Sequence, residues 1–197
     1  MTDQEKQQTA RLQAIQKSDR ITIGKTHGVF PTTPESASKA RHDVAEMMTR
    51  SGMMGDLSSD VELVTTELVG NVLRHSGSPD FAVLAYALED IPQTGWESPG
   101  GIVLLMVTDR GNAGERHEYV NYVRGEASEF LPRKTNSRRG LAVVDFLSSH
   151  WEVSFCSLRK RTMGPPRCPD HGIKVDHTTV SVMWYIEKTD AGVWRRR

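Results

Sequence analysis

Between Asp60 and Ser76 the stretch DVELVTTELVGNVLRHS carries a periodicity that limits the fold more than any other feature of the chain. Leu57, Val61, Val64, Leu68 and Val72 recur three and four positions apart, which predicts a helix with one apolar stripe pressed against a sheet. Ser58 or Ser59 is the expected cap. Glu67 and Asn71 stand four residues apart at the border of the stripe, one turn above another, with His75 a further turn on. A carboxylate and a carboxamide on that edge can orient a hydroxyl or water proton and give an oxygen to a hard cation such as magnesium, which takes few protein ligands. The same residues also fit a solvated helix border, and His75 alone fits a helix end, where the macrodipole favours a cation. What separates these readings lies further along the chain.

With 197 residues, the chain suits one domain with appendages and can bury a substantial core. Lys plus Arg and Asp plus Glu both number 25, so the basic excess of a nonspecific nucleic-acid binder is missing. The longest strongly apolar run, Ile102 to Val107, falls far short of the roughly 20 residues that span a bilayer. Met1 to Arg20 has no apolar signal core, and Cys156 and Cys168 are the only cysteines. These features predict a cytoplasmic protein that binds neither membrane nor nucleic acid directly.

Residues 1–20 are Gln-rich and charged and are expected to form a polar extension, frayed or disordered. Residues 21–188 form the expected domain. Ile21 to Phe30 reads as a first strand, and Pro34 to about Arg50 as a helix with Met47 and Met48 filling the core. Phe81 to Leu88 is apolar on both faces and Gly101 to Thr108 is another strand, ending at Asp109-Arg110-Gly111. An aspartate where a strand gives way to a glycine loop can accept hydrogen bonds from a ligand at the sheet's edge, or simply form an Asx turn. From Asn112 to Ser137 the chain is polar and long enough for a lid or binding segment. Arg138-Arg139-Gly140-Leu141 then opens an apolar helix, a place that suits phosphate and equally suits an ordinary helix start. Trp151 to Leu158 and Thr178 to Ile186 read as a last strand pair around a basic, Pro-rich insertion at about 159–177. Cys156, Cys168 and His171 are too few for a full tetrahedral metal site and match no common zinc spacing. Residues 189–197, ending in Trp194 and three arginines, are expected to be a solvated basic tail.

Three signals therefore stand in order: Glu67-Leu-Val-Gly-Asn71 with Arg74-His75, Asp109-Arg-Gly111, and Arg139-Gly140-Leu141. Their arrangement resembles the GHKL superfamily of ATP-binding domains, and within it the bacterial anti-sigma-factor serine kinases and their actinobacterial relatives. The likeness runs from about Ile21 to Ile186 and includes the proline-led early helix and a Glu-x-x-x-Asn-x-x-x-His box. It implies an α/β (α+β) two-layer sandwich, with a mixed, mostly antiparallel sheet covered on one face by helices and the other face exposed or used for partners. It also implies ATP and Mg2+ as cofactors. Asn71 would hold the magnesium, Asp109 would take the adenine amino group, and Gly111 would let the loop approach the base. Glu67 would be the base acting on a serine hydroxyl or a water. Gly140 would lie beside the phosphates, with His75, Gly114, Arg138, Arg139 and Leu141 completing the nucleotide-binding set. The implied partners are a sigma factor and an anti-anti-sigma protein of STAS type, and relatives of this kind commonly form homodimers.

Two departures from the family pattern bear on function. Ala113 stands where the Asp-x-Gly-x-Gly loop has its second glycine, with Gly114 displaced by one, and Arg138 replaces the first glycine of Gly-x-Gly-Leu. A side chain at 138 either obstructs the close approach of phosphate or grips it with a guanidinium. Two functions follow: a serine kinase that also binds a sigma factor, or a partner-binding module of the same fold whose ATP binding is weak or lost.

Overall fold

The computed structural model describes residues 20–90, 100–110, 138–156 and 177–197. Strand β1 (Arg20–Pro31) leads into helix α1 (Pro34–Arg50) and helix α2 (Asp56–Asn71), which runs on into one π turn (Val72–Ser76). Strands β2 (Asp80–Asp90) and β3 (Gly100–Asp109) follow, then helix α3 (Arg138–Leu147) and strands β4 (His150–Cys156), β5 (His177–Lys188) and β6 (Trp194–Arg196). The sheet order is β1-β2-β3-β5-β4, with β6 added beside β5, and every pairing among the described strands is antiparallel.

The period-two pattern of the strands sets one face against the helices. Across β2, β3 and β5, the rows Val83–Val107–Val180, Ala85–Leu105–Val182 and Ala87–Val103–Trp184 point to the same side. They meet Ala40, Val44, Met47 and Met48 of α1, the α2 stripe, and Val144 of α3 in one core. All five residues of the expected α2 stripe are buried, Leu57, Val61, Val64, Leu68 and Val72 alike. Burying each such side chain contributes about 1.5–3 kcal/mol, so the spacing read from the sequence is also what fixes α2 to the sheet. The opposite face is not open throughout. Thr108 and Thr179 are buried there with a hydroxyl–hydroxyl hydrogen bond of 2.9 Å, and Ile102, Met183 and His177 are buried as well. The paired hydroxyls satisfy each other, which is what allows them to be withdrawn from water.

Three boundaries differ from expectation for physical reasons. Helix α2 starts earlier, after Gly55 in the left-handed region at φ 73°, so Ser58 and Ser59 lie inside its first turn and do not cap it. Ser59 donates instead to the Gly55 carbonyl at 3.2 Å. At the other end the helix closes through the π turn to Gly77, whose φ of 61° only glycine adopts without strain. Arg138 to Gly140 belong to α3 itself rather than preceding it.

The carboxyl terminus is not a solvated tail. Strand β6 pairs Ile186 with Arg196 and Lys188 with Trp194, and the Trp194 ring is buried in the core. Arg195 and Arg197 pair with Glu187 at 2.7 and 3.4 Å, and Arg196 reaches Asp60 Oδ2 at 3.0 Å. One tryptophan with an apolar face to bury, and a carboxylate opposite each guanidinium, outweigh the cost of ordering the chain end. Among the described residues no helix is long and apolar enough to cross a membrane.

Candidate functional site

The site is built where the first turn of α3 lies over the last turn of α2. Glu67 and Asn71 are half-buried at the border of the apolar stripe, as their spacing predicts. Gly140, in the first turn of α3, lies directly against them. A Cβ at position 140 would stand 2.8 Å from Glu67 Oε2, 3.4 Å from Asn71 Nδ2 and 3.6 Å from Asn71 Oδ1. The missing side chain is thus what brings the two helices into contact at this point. The opening amides of a helix lack intrahelical partners and carry its positive end, so α3 presents donors and positive potential toward the Glu67 carboxylate and any anion beside it. The other end of α3 is anchored firmly. The Leu147 carbonyl accepts from Trp184 Nε1 at 2.7 Å and from Arg196 Nη1 at 2.6 Å, and Trp151 Nε1 donates to Asp145 Oδ1 at 3.0 Å.

Asn71 Oδ1, the oxygen best suited to a cation, accepts from Arg74 Nη2 at 3.0 Å. The guanidinium reaches it by crossing Gly70, where a Cβ would come within 3.3 Å of Nη2. His75 stands exposed in the π turn. The stacking of His75 above Asn71 assumed an unbroken α-helical phase, and the π turn breaks that phase one residue after Asn71. Glu67, Asn71 and Gly140 therefore cluster, whereas His75 faces solvent.

Asp109 ends β3, half-buried, on the core-facing side, opposite Phe81 on β2 and Thr178 on β5. The end of β3 is tied to the turn that follows α2. Arg110 N–H donates to Ser78 Oγ at 3.3 Å, and Arg110 Nε pairs with Asp80 Oδ1 at 3.0 Å. Ser78 is buried, and its own N–H donates to Ser76 Oγ at 3.1 Å. This serine pair ties the end of the Asn71 helix to the start of the aspartate loop. Its signal in the sequence is the Ser-Gly-Ser turn of residues 76–78, which reads only as a connection. Leu141 packs partly buried against the core. Gly111, Ala113 and Gly114 lie outside the described residues, as do Cys168 and His171 in the insertion, and the side chains of Arg138, Arg139 and Cys156 are likewise outside them.

Among the described residues no group of three or more His, Cys, Asp and Glu could hold a metal ion. Magnesium on a nucleotide is carried by the phosphates and touches the protein through one or two oxygens. Asn71 Oδ1 with Glu67 beside it fits this mode.

A helical layer on an antiparallel sheet, with an acid–amide pair beneath the first turn of a second helix and an aspartate ending a neighbouring strand, is the plan of an ATPase domain. The chain belongs to the histidine kinase-like ATPase domain family, whose model matches residues 30–157, well over half its length. That span holds Glu67, Asn71, Asp109 and Gly140. No curated protein matches the chain.

Proposed function

We propose that the chain is a regulator of the anti-sigma-factor type that binds ATP with Mg2+ and phosphorylates a serine of an anti-anti-sigma, STAS-type antagonist. The observation that carries this reading is the contact of Gly140 with both Glu67 and Asn71. It brings a carboxylate, a carboxamide oxygen and the first turn of a helix into one small volume, groups that phosphoryl transfer to a hydroxyl can use as base, cation ligand and anion-facing donors. Glu67 would align the antagonist's serine hydroxyl and take its proton. Asn71 Oδ1 would hold the magnesium, and the first turn of α3 around Gly140 and Leu141 would face the phosphates, with Arg138 and Arg139 beside it. Asp109 would accept from the adenine amino group, and Gly111 and Gly114 would belong to the loop around the base. Magnesium, when bound, would withdraw charge from the γ-phosphate as the bond to ADP breaks.

One observation favours a second reading, a partner-binding module with weak or lost ATP binding: Asn71 Oδ1 already accepts a hydrogen bond from Arg74. Calorimetric titration of the purified chain with ATP, with and without Mg2+, decides between them. Magnesium-dependent binding that disappears in Asn71→Ala, with an unchanged melting temperature, is the expected result. Absence of binding at any magnesium concentration would leave only the module.

A further inference from the structure

The sequence GNVLR from Gly70 to Arg74 places a cation at the one oxygen that the proposed nucleotide site gives to a metal. Arg74 is exposed, and its guanidinium folds back three residues to Asn71 Oδ1 at 3.0 Å. Gly70 makes that path available. A Cβ there would stand 3.3 Å from Nη2, 3.5 Å from Nη1 and 3.6 Å from Cζ, so the guanidinium plane lies across the bare backbone. Glycine inside a helix is unfavourable relative to alanine, and this close approach gives the residue a use. Guanidinium is a permanent cation with donors only, and the carboxamide oxygen is the acceptor of the Asn71 side chain.

We propose that Arg74 is the resting cation of the Asn71 carboxamide, a built-in competitor that magnesium entering with nucleotide must displace, so that Arg74 sets how much divalent ion nucleotide binding needs. This rests on the reading of Glu67, Asn71 and Gly140 as a nucleotide site. A carbonyl oxygen has two lone pairs, but sharing it would hold a guanidinium and a dication a few ångströms apart, where like charges repel strongly even in a water-like medium. The arginine therefore leaves when the metal arrives. At low magnesium it keeps Asn71 occupied and disfavours metal-bound nucleotide, and the chain becomes responsive to the ion over a higher range than the bare asparagine would give.

The test is ATP binding by calorimetry across a series of Mg2+ concentrations, on the full chain and on Arg74→Gln, which keeps a polar side chain and removes the charge. The half-saturating Mg2+ concentration should fall about three- to tenfold in the variant, a range set by the screening of an exposed charge. Binding of ATP by Arg74→Gln alone, with none by the natural chain, is a stronger form of the same outcome. If both bind with the same magnesium dependence, Arg74 is no competitor and the nucleotide site stands without it. A weaker affinity in the variant at saturating magnesium, with the same half-saturation point, would make Arg74 a phosphate ligand and also overturn the proposal. If neither binds ATP, the nucleotide reading and the proposal fall together. Should Arg74→Gln not fold, Arg74→Met serves in its place, because it keeps an unbranched side chain of similar reach and likewise removes the guanidinium. A magnesium curve shifted to lower concentration supports the competitor, and an unshifted one removes it.

Discussion

A methyl group on Gly140 would sit 2.8 Å from Glu67 Oε2, closer than carbon and oxygen approach without one of them moving. Glu67 is the one that can give way, since its carboxylate ends a flexible side chain while Gly140 is fixed by the α3 backbone. Alanine inside a helix is favoured over glycine by up to about 1 kcal/mol. Gly140→Ala is therefore expected to melt at the same temperature as the natural chain or slightly higher and, on the proposed kinase function, to transfer phosphate more slowly, because the carboxylate proposed as the base would be displaced. A melting curve beside a labelled-ATP assay with the cognate antagonist shows whether stability and transfer separate in this way. Glu67→Gln tests the same carboxylate without crowding. It keeps the size of the side chain and removes the proposed base, and loss of general-base help typically costs about 10²–10⁴ in rate. ATP affinity in that variant should stay near that of the natural chain. An equal loss of binding and transfer would make Glu67 a structural or nucleotide-holding residue instead.

At the scale of elements, α2 is tied to the carboxyl-terminal strand by the ion pair of Asp60 and Arg196, at 3.0 Å. Burial is the largest influence on the Asp60 carboxyl and raises its pKa above the ordinary 3.8, while Arg196 pulls it down and nearby Asp56 pushes it up. The folded state therefore holds this proton more tightly than the unfolded chain. The stabilising contribution of the protonated acid is complete below pH 3.8 and is lost as pH rises through the folded-state pKa above it. Asp60→Asn removes this titration. Its stability relative to the natural chain should improve as pH is raised from below 3.8 through the acid range, and urea midpoints at a series of pH values measure that difference. A difference that stays flat with pH would mean that Asp60 titrates alike in both states. Arg196→Ala should be the more damaging change at neutral pH. It strips one partner from the Leu147 carbonyl and leaves Asp60 partly buried without its cation.

For the whole molecule, the helix layer and the strands between Arg20 and Lys188 were legible in the sequence because their burial is periodic: the Leu57-to-Val72 stripe and the alternating rows of β3 and β5 write it directly into residue type. The cluster of Glu67, Asn71 and Gly140 was legible in part, since spacing puts the first two on one helix edge while only packing brings the third against them. Three things escaped it. The π turn depends on how α2 meets Gly77, the Arg74 contact depends on the path opened at Gly70, and the docking of residues 194–196 depends on long-range pairing that three consecutive arginines disguise. That last contact links the far end of the chain to the candidate site. Arg196 holds the Leu147 carbonyl at one end of α3, and Gly140 lies against Glu67 at the other. Ending the chain after Asp190 would remove Trp194 from the core and Arg196 from both α2 and α3. Losing a buried tryptophan side chain alone typically costs about 3–5 kcal/mol. The shortened chain should therefore melt well below the natural one. Below its melting temperature, amide hydrogen exchange should rise most in α3 and least in α1, which packs chiefly against α2 and β1. Arg196→Ala in the full chain separates the two causes, because it spares the tryptophan: faster exchange in α3 and near Asp60 in α2, with α1 spared and ATP binding weaker, is expected if the chain end steadies the helix proposed to face the phosphates. Uniformly faster exchange in all three helices would show instead that β6 contributes only to global stability.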